Sequence, residues 1–163
     1  MKALITGSFD PVTNGHINLI KRTALLFDDV TVGIFVNSSK KYLFTEAERL
    51  SMLSESIADI KNAHAEICSG LVAKYCKDNN IDVIVKGVRN ASDYEYELGM
   101  AKINREFAPN TETLFLPADS SVEFISSSMV KIFFSNGENV SKYVPKAVLD
   151  NLNKIHQIAH NHQ

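Results

Sequence analysis

The stretch Leu4-Ile5-Thr6-Gly7-Ser8-Phe9-Asp10-Pro11-Val12-Thr13-Asn14-Gly15-His16-Ile17-Asn18-Leu19-Ile20 decides how the rest of the chain is read. Its apolar start, residues 3–5, predicts a short buried strand. Gly7, Asp10, Pro11, Asn14 and Gly15 then force a loop, because they supply turn geometries that other residues resist. From Gly15 onward Ile17, Ile20, Ala24 and Phe27 recur at helical spacing, so a helix is predicted to begin at the Asn14-Gly15-His16 step. A strand, a glycine-bearing turn and a helix N-terminus together make an anion site. Free N–H groups leave the first helical turn, the helix dipole favours negative charge there, and glycine lets a phosphate approach closely. His16 stands at that mouth with a side chain able to donate to a phosphate oxygen. By itself such a turn serves plain chain reversal equally well, with His16 an exposed helix-start residue.

Working outward, 163 residues of 45% hydrophobic and 22% charged composition predict one soluble domain spanning residues 1–163. The net charge of −2 argues against a broad nucleic-acid footprint, which is basic. The N-terminus turns polar after three apolar residues, so no signal peptide is expected, and no run reaches the length of a membrane span. Cys68 and Cys76 lack Cys-x-x-Cys spacing. They are expected to be buried free thiols of a cytoplasmic protein.

Strand and helix patterns alternate along the rest of the chain. Residues 30–36 are β-branched and apolar, the composition of a strand covered on both faces. After the polar loop 37–41, Thr45 with Glu48 makes a capping box for a helix to about Ile57. Residues 63–67 predict a third strand, with His64 and Glu66 marking it as near an edge. A helix carrying Leu71, Val72, Tyr75 and Cys76 ends at Asn79-Asn80, and residues 82–86 form a short strand. Ser92 with Glu95 is read as the capping box of a helix to about Phe107. Residues 113–116 are a fifth strand closed by Pro117. Residues 126–134 are helical, and Pro145 opens a last helix to about His160. The expectation is an open, doubly wound, five-stranded parallel α/β sheet with C-terminal helices, its ligand crevice beyond the strand carboxyl ends.

The unusual residues fall on one rim of that sheet. Residues 6–16 follow the first strand, 37–41 the second, 86–90 the fourth and 117–124 the fifth. Lys40-Lys41, a solvated pair in isolation, becomes a phosphate partner on such a rim. Lys86-Gly87-Val88-Arg89 brings two cations around a glycine at a strand end, where they need solvent or an anion. Asp93 and Glu95 suit a helix N-terminus electrostatically, and Asp93 is available to a nearby basic side chain. Ser126-Ser127-Ser128 exceeds what one cap requires and offers a second phosphate cradle. His156 and His160 sit four apart on the last helix and, with His162, are read as surface residues rather than a metal site.

The pattern Gly-Ser-Phe-Asp-Pro-x-Thr-Asn-Gly-His at residues 7–16 resembles the nucleotidyltransferase signature shared with class I aminoacyl-tRNA synthetases. Within that superfamily the chain, from residue 2 to about 150, looks most like the phosphopantetheine adenylyltransferases of bacterial coenzyme A synthesis. The resemblance implies a Rossmann-like nucleotidyltransferase fold and adenylyl transfer from ATP to 4′-phosphopantetheine, giving dephospho-coenzyme A and pyrophosphate. It implies His16 as the catalytic residue, with Ser8, Lys40, Val72 and Lys86 binding the acceptor. It implies ATP contacts from Ser8, Phe9, His16, Gly87, Val88, Arg89 and Glu97, and from Val122, Glu123, Phe124, Ile125, Ser126, Ser127 and Ser128. Mg²⁺ carried by ATP and a homohexamer are further implications. The sequence departs from the family pattern at Thr6 (usually proline), Ser8 (threonine) and Lys86 (arginine), and in its tail beyond Asn151.

Other readings stay open at this point. Another Gly-His nucleotidyltransferase acting on nicotinate mononucleotide, or a cytidylyltransferase, shares the signature. A non-catalytic nucleotide sensor on the same fold would bind ATP without needing His16. A redox Rossmann protein fits less well, since the first turn lacks Gly-x-Gly-x-x-Gly and the second strand ends in Val36-Asn37 without the ribose-binding acid.

Overall fold

The computed structural model describes residues 1–160 apart from Ser38, with the side chains of His156 and of residues 158–160 left aside. The reading of His156, His160 and His162 as surface residues lies outside the described residues. In chain order the elements are β1 (Lys2–Gly7), α1 (Asn14–Ala24), β2 (Asp29–Phe35), α2 (Glu46–Ser56), β3 (Ala63–Cys68), α3 (Val72–Asn79), β4 (Val83–Val88), α4 (Ala91–Phe107), β5 (Glu112–Pro117), α5 (Ser127–Ser135) and α6 (Lys146–His160). The strands form one parallel sheet in the order β3-β2-β1-β4-β5. β1 is therefore central, with Ala3 opposite Val30 on one side and Val83 on the other.

Alternation along the strands divides their side chains between two faces. Ala3, Ile5, Val30, Val32, Ile34 and Val85 point one way, into a core shared with Ile20 of α1, Leu53 of α2, Val130 of α5 and Leu152 of α6. Leu4 and Ile84 point the other way, against Ala73 and Cys76 of α3 and Ala108 at the end of α4. Helices on both faces explain why these strands are almost uninterrupted runs of aliphatic residues. The doubly wound five-stranded sheet expected from the sequence is the one observed. β3 is an edge strand, as its polar residues foretold. Cys68 and Cys76 are buried and free, their thiols pushed up to about 12 and about 11, first of all by burial.

The Thr45–Glu48 capping box forms as expected, with side chain and main chain bonded both ways. The Ser92–Glu95 box does not. β4 runs on to Val88, so the chain leaves the strand later than expected and turns at Asn90, whose side chain accepts from the Asp93 N–H at 2.9 Å. Ser92 is thereby drawn into the first turn of α4 instead of capping it. Crossovers carry the chain outward from β1 through β2 to β3, then back across to β4 and β5. The reversal lies between β1 and β4, where crossovers diverging to either side leave a crevice beyond the carboxyl ends.

Candidate active site

A cavity of about 550 Å³ opens at that reversal, a size suited to a small-molecule ligand. Its walls come from every segment that meets there. β1 and its loop supply Thr6, Phe9 and Thr13, and α1 supplies Gly15, His16, Asn18, Leu19 and Arg22. β4, the turn after it and α4 supply Lys86, Gly87, Arg89, Ser92, Asp93, Tyr96 and Glu97. The segment between β5 and α5 supplies Ala118, Val122, Ile125, Ser126 and Ser127.

His16 is held by a capping box in which an imidazole takes the place usual for Glu or Gln. Thr13 caps α1, its Oγ1 accepting from the His16 N–H, while the Thr13 N–H donates to His16 Nδ1 at 3.0 Å. An amide N–H can only donate, so Nδ1 is unprotonated and the neutral ring carries its proton on Nε2. Burial, and secondarily the positive charge of Arg89, lowers the His16 pKa from 6.5 to about 4. At neutral pH the ring is therefore an uncharged donor of fixed tautomer. Phe9 meets it edge-on, with ring centroids 5.0 Å apart. Phe9 itself has φ 47°, a left-handed conformation that a bulky residue keeps only when its surroundings hold it. Its ring covers Gly7, where an added Cβ would lie 3.0 Å from the ring carbons. Gly7→Ala is thus expected to push Phe9 off His16 and destabilise the fold by about 1–3 kcal/mol, read as a lower urea midpoint.

The loop between β1 and α1 is clamped from several sides. Asp10, 2% exposed, accepts from the N–H groups of Leu43 and Phe44 at 2.9 Å each and pairs with Lys131 of α5, also at 2.9 Å. Arg49 Nη1 donates to the Ser8 carbonyl at 2.8 Å, and the Asn14 N–H to the Tyr143 carbonyl at 2.9 Å. Ser127 Oγ donates to the Pro11 carbonyl at 2.7 Å, tying the start of α5 to the first loop.

Two of the cavity cations, Lys86 and Arg89, are paired to acids on α4. Lys86 Nζ lies 3.1 Å from Glu97 Oε2, and Arg89 Nε donates to Asp93 Oδ2 at 2.7 Å. The Arg89 hydrogen bond holds the Asp93 carboxyl below its usual range. Asp93 and Glu97 fall one helical turn apart, which puts both on the face turned to β4. At the opposite wall, Ser126 caps α5 by accepting from the Met129 N–H at 3.1 Å. With the Met129 N–H taken by the cap, the first turn of α5 keeps the Ser127 and Ser128 N–H groups of a helix N-terminus, the part of a helix that binds anions.

Of the residues singled out in the sequence, His16, Phe9, Lys86, Gly87, Arg89, Glu97, Val122, Ile125, Ser126 and Ser127 line one cavity. Ser8, Val88, Glu123, Phe124 and Ser128 adjoin it in the chain without lining it. Lys40 is exposed in the loop after β2, and Val72, the first residue of α3, packs against the smaller core. The sequence reading missed Asn18, Arg22 and Tyr96. Gly15, Asn18, Leu19 and Arg22 follow the i, i+3, i+4, i+7 spacing of one helix face, a signal that runs beside the apolar stripe of Ile17, Ile20, Ala24 and Phe27. Arg22 Nη1 donates to the Pro117 carbonyl at 2.7 Å, closing the cavity towards β5.

The model of the cytidylyltransferase-like family matches residues 4–132, and the chain is a member of that class of nucleotidyltransferases. A crystal structure titled as a putative nicotinate-nucleotide adenylyltransferase from Vibrio parahaemolyticus has the same fold. Its TM-score is 0.67 at 16% identity, covering 93% of this chain and 91% of that one. The phosphopantetheine adenylyltransferase of Shouchella clausii is 44% identical over 96% of this chain and 98% of its own length. That of Pseudarthrobacter chlorophenolicus is 45% identical over 93% and 91%. The chain belongs to the phosphopantetheine adenylyltransferase family.

Proposed function

We propose that this nucleotidyltransferase transfers the adenylyl group of ATP to the phosphate of 4′-phosphopantetheine, yielding dephospho-coenzyme A and pyrophosphate. The observation that carries the reading is the convergence of His16, Lys86, Arg89 and the serine start of α5 on one cavity. An oxygen of the acceptor phosphate attacks the α-phosphorus of ATP, and the bond from that phosphorus to the bridging oxygen of the β-phosphate breaks. The acceptor is already an anion, so no general base and no covalent intermediate are required. Catalysis is then positioning together with stabilisation of charge on the α-phosphate oxygens.

In this reading the His16 Nε2–H donates to those oxygens as their charge grows. Ser8, Lys40 and Lys86 orient the acceptor, with Val72 beside its arm. Arg89 and the N-terminus of α5 at Ser126, Ser127 and Ser128 hold the departing pyrophosphate, while Gly87, Val88, Glu97, Val122, Glu123, Phe124 and Ile125 surround the nucleotide. Both acids on the cavity wall are engaged by cations, so they fit a Mg²⁺ ion that arrives on the phosphate oxygens rather than one held in a protein cage. Bound there, Mg²⁺ supplies charge neutralisation across the triphosphate. We further propose a cytoplasmic homohexamer. Exposed Ile103 and Phe107 on α4 support it by offering apolar surface for a subunit contact.

The test is pyrophosphate release with MgATP against a panel of 4′-phosphopantetheine, nicotinate mononucleotide and a cytidylyltransferase acceptor. Release with the first alone is expected. Turnover with another acceptor, or ATP binding without any turnover, would reject the assignment.

A further inference from the structure

We infer that Arg49 is a positioning residue that holds both arms of the acceptor-phosphate pocket, Ser8 through its carbonyl and the Lys40 loop through Tyr42. The inference rests on the proposed acceptor reading and adds two residues to it. Arg49 is 1% exposed, the largest fully buried side chain among the described residues. It stands in the first turns of α2, at the positive end of the helix dipole. Among the described residues no carboxylate lies within ion-pair distance of it. A cation buried without an acid is costly, and nothing in the packing of α2 alone requires a guanidinium there.

Its contacts run to two rim loops instead. Nη1 donates to the Ser8 carbonyl at 2.8 Å, while Nε is buried without an acceptor among the described residues. Pinning that carbonyl fixes the peptide plane, so the Phe9 N–H is turned to the side away from Arg49. The guanidinium also lies over the Tyr42 ring, 4.1 Å from its centroid. Tyr42 Oη in turn accepts from the Asn37 N–H at 2.8 Å and donates to the Asn37 carbonyl at 3.2 Å. That same carbonyl accepts from the Lys40 N–H at 3.0 Å, and Asn37 Oδ1 accepts from the Ser39 N–H, also at 3.0 Å. One planar cation therefore backs the Ser8 peptide and, through one ring, the turn that carries Lys40. Lysine would keep the charge but lose both the fork and the flat face that stacks.

Steady-state kinetics on the full chain test this by the split between the two substrates. Arg49→Lys is expected to raise KM for 4′-phosphopantetheine about tenfold and leave KM for ATP within about twofold. Tyr42→Phe keeps the ring but cuts the link to Asn37. It is expected to raise the acceptor KM about three- to fivefold, and the double variant less than the product of the two. Should Arg49→Lys fail to fold, Tyr42→Phe alone decides. An acceptor KM unchanged in a folded variant, or equal rises for both substrates, would overturn the inference. Absence of wild-type turnover with 4′-phosphopantetheine is a different result, and would remove the proposed reaction itself.

Discussion

Replacing His16 with alanine is expected to lower kcat by about 10²–10³ while KM for ATP changes by no more than about threefold. The donor at Nε2 matters only as charge gathers on the α-phosphate, so its loss falls on the transition state and not on nucleotide binding. Losing the capping box as well costs stability, by about 1 kcal/mol, which a denaturation curve separates from the rate effect. The same ring gives a pH signature. Its pKa of about 4 keeps it neutral throughout the working range, so activity should show no limb near 6.5 that disappears with His16. A pKa lower in the folded than in the unfolded chain means that the unfolded chain binds more protons between about pH 4 and 6.5. Native stability therefore falls as pH is lowered through that window, and His16→Gln should flatten the slope. Near-normal turnover in His16→Ala would contradict the role.

Asp10→Ala is the second large effect, and it is one of stability. The carboxylate is almost wholly buried, accepts two main-chain N–H groups and pairs with Lys131. Its removal strands those donors and leaves Lys131 without its acid, so a loss of about 3 kcal/mol is expected. Lys131 is about one-third exposed, which keeps the figure at the lower end of what breaking a buried pair costs. Guanidinium unfolding measures it, with the slope unchanged. Activity should fall too, because Asp10 ties the His16 loop both to the segment before α2 and to α5. A change below about 0.5 kcal/mol would mean that the contact is dispensable.

Asp10, unlike His16, lay beyond what the sequence shows. The sheet was legible because aliphatic runs at residues 3–5, 30–36 and 82–86 have no other means of being buried on both faces. The rim was legible because Gly7, Gly15, Lys86, Arg89 and the serine run follow strand ends. Asp10 looked like one more turn residue, since its partners lie 33, 34 and 121 positions away. Arg49 belongs to no motif of the sequence, and only the folded chain brings Ser8 and Tyr42 against it. The capping boxes teach the same point locally. Thr45 and Glu48 cap α2 where the sequence places its start, whereas the longer β4 moves the cap of α4 from Ser92 to Asn90. At α1 the box was hidden because histidine took the position where glutamate is sought.

The most direct measurement is a structure of the protein with a non-hydrolysable ATP analogue carrying a methylene between its α and β phosphorus atoms. The expected result is an α-phosphate oxygen within about 3.2 Å of His16 Nε2, with the β and γ phosphates at the α5 N-terminus. A nucleotide seated with its phosphates away from His16, or outside the crevice between β1 and β4, would contradict the account.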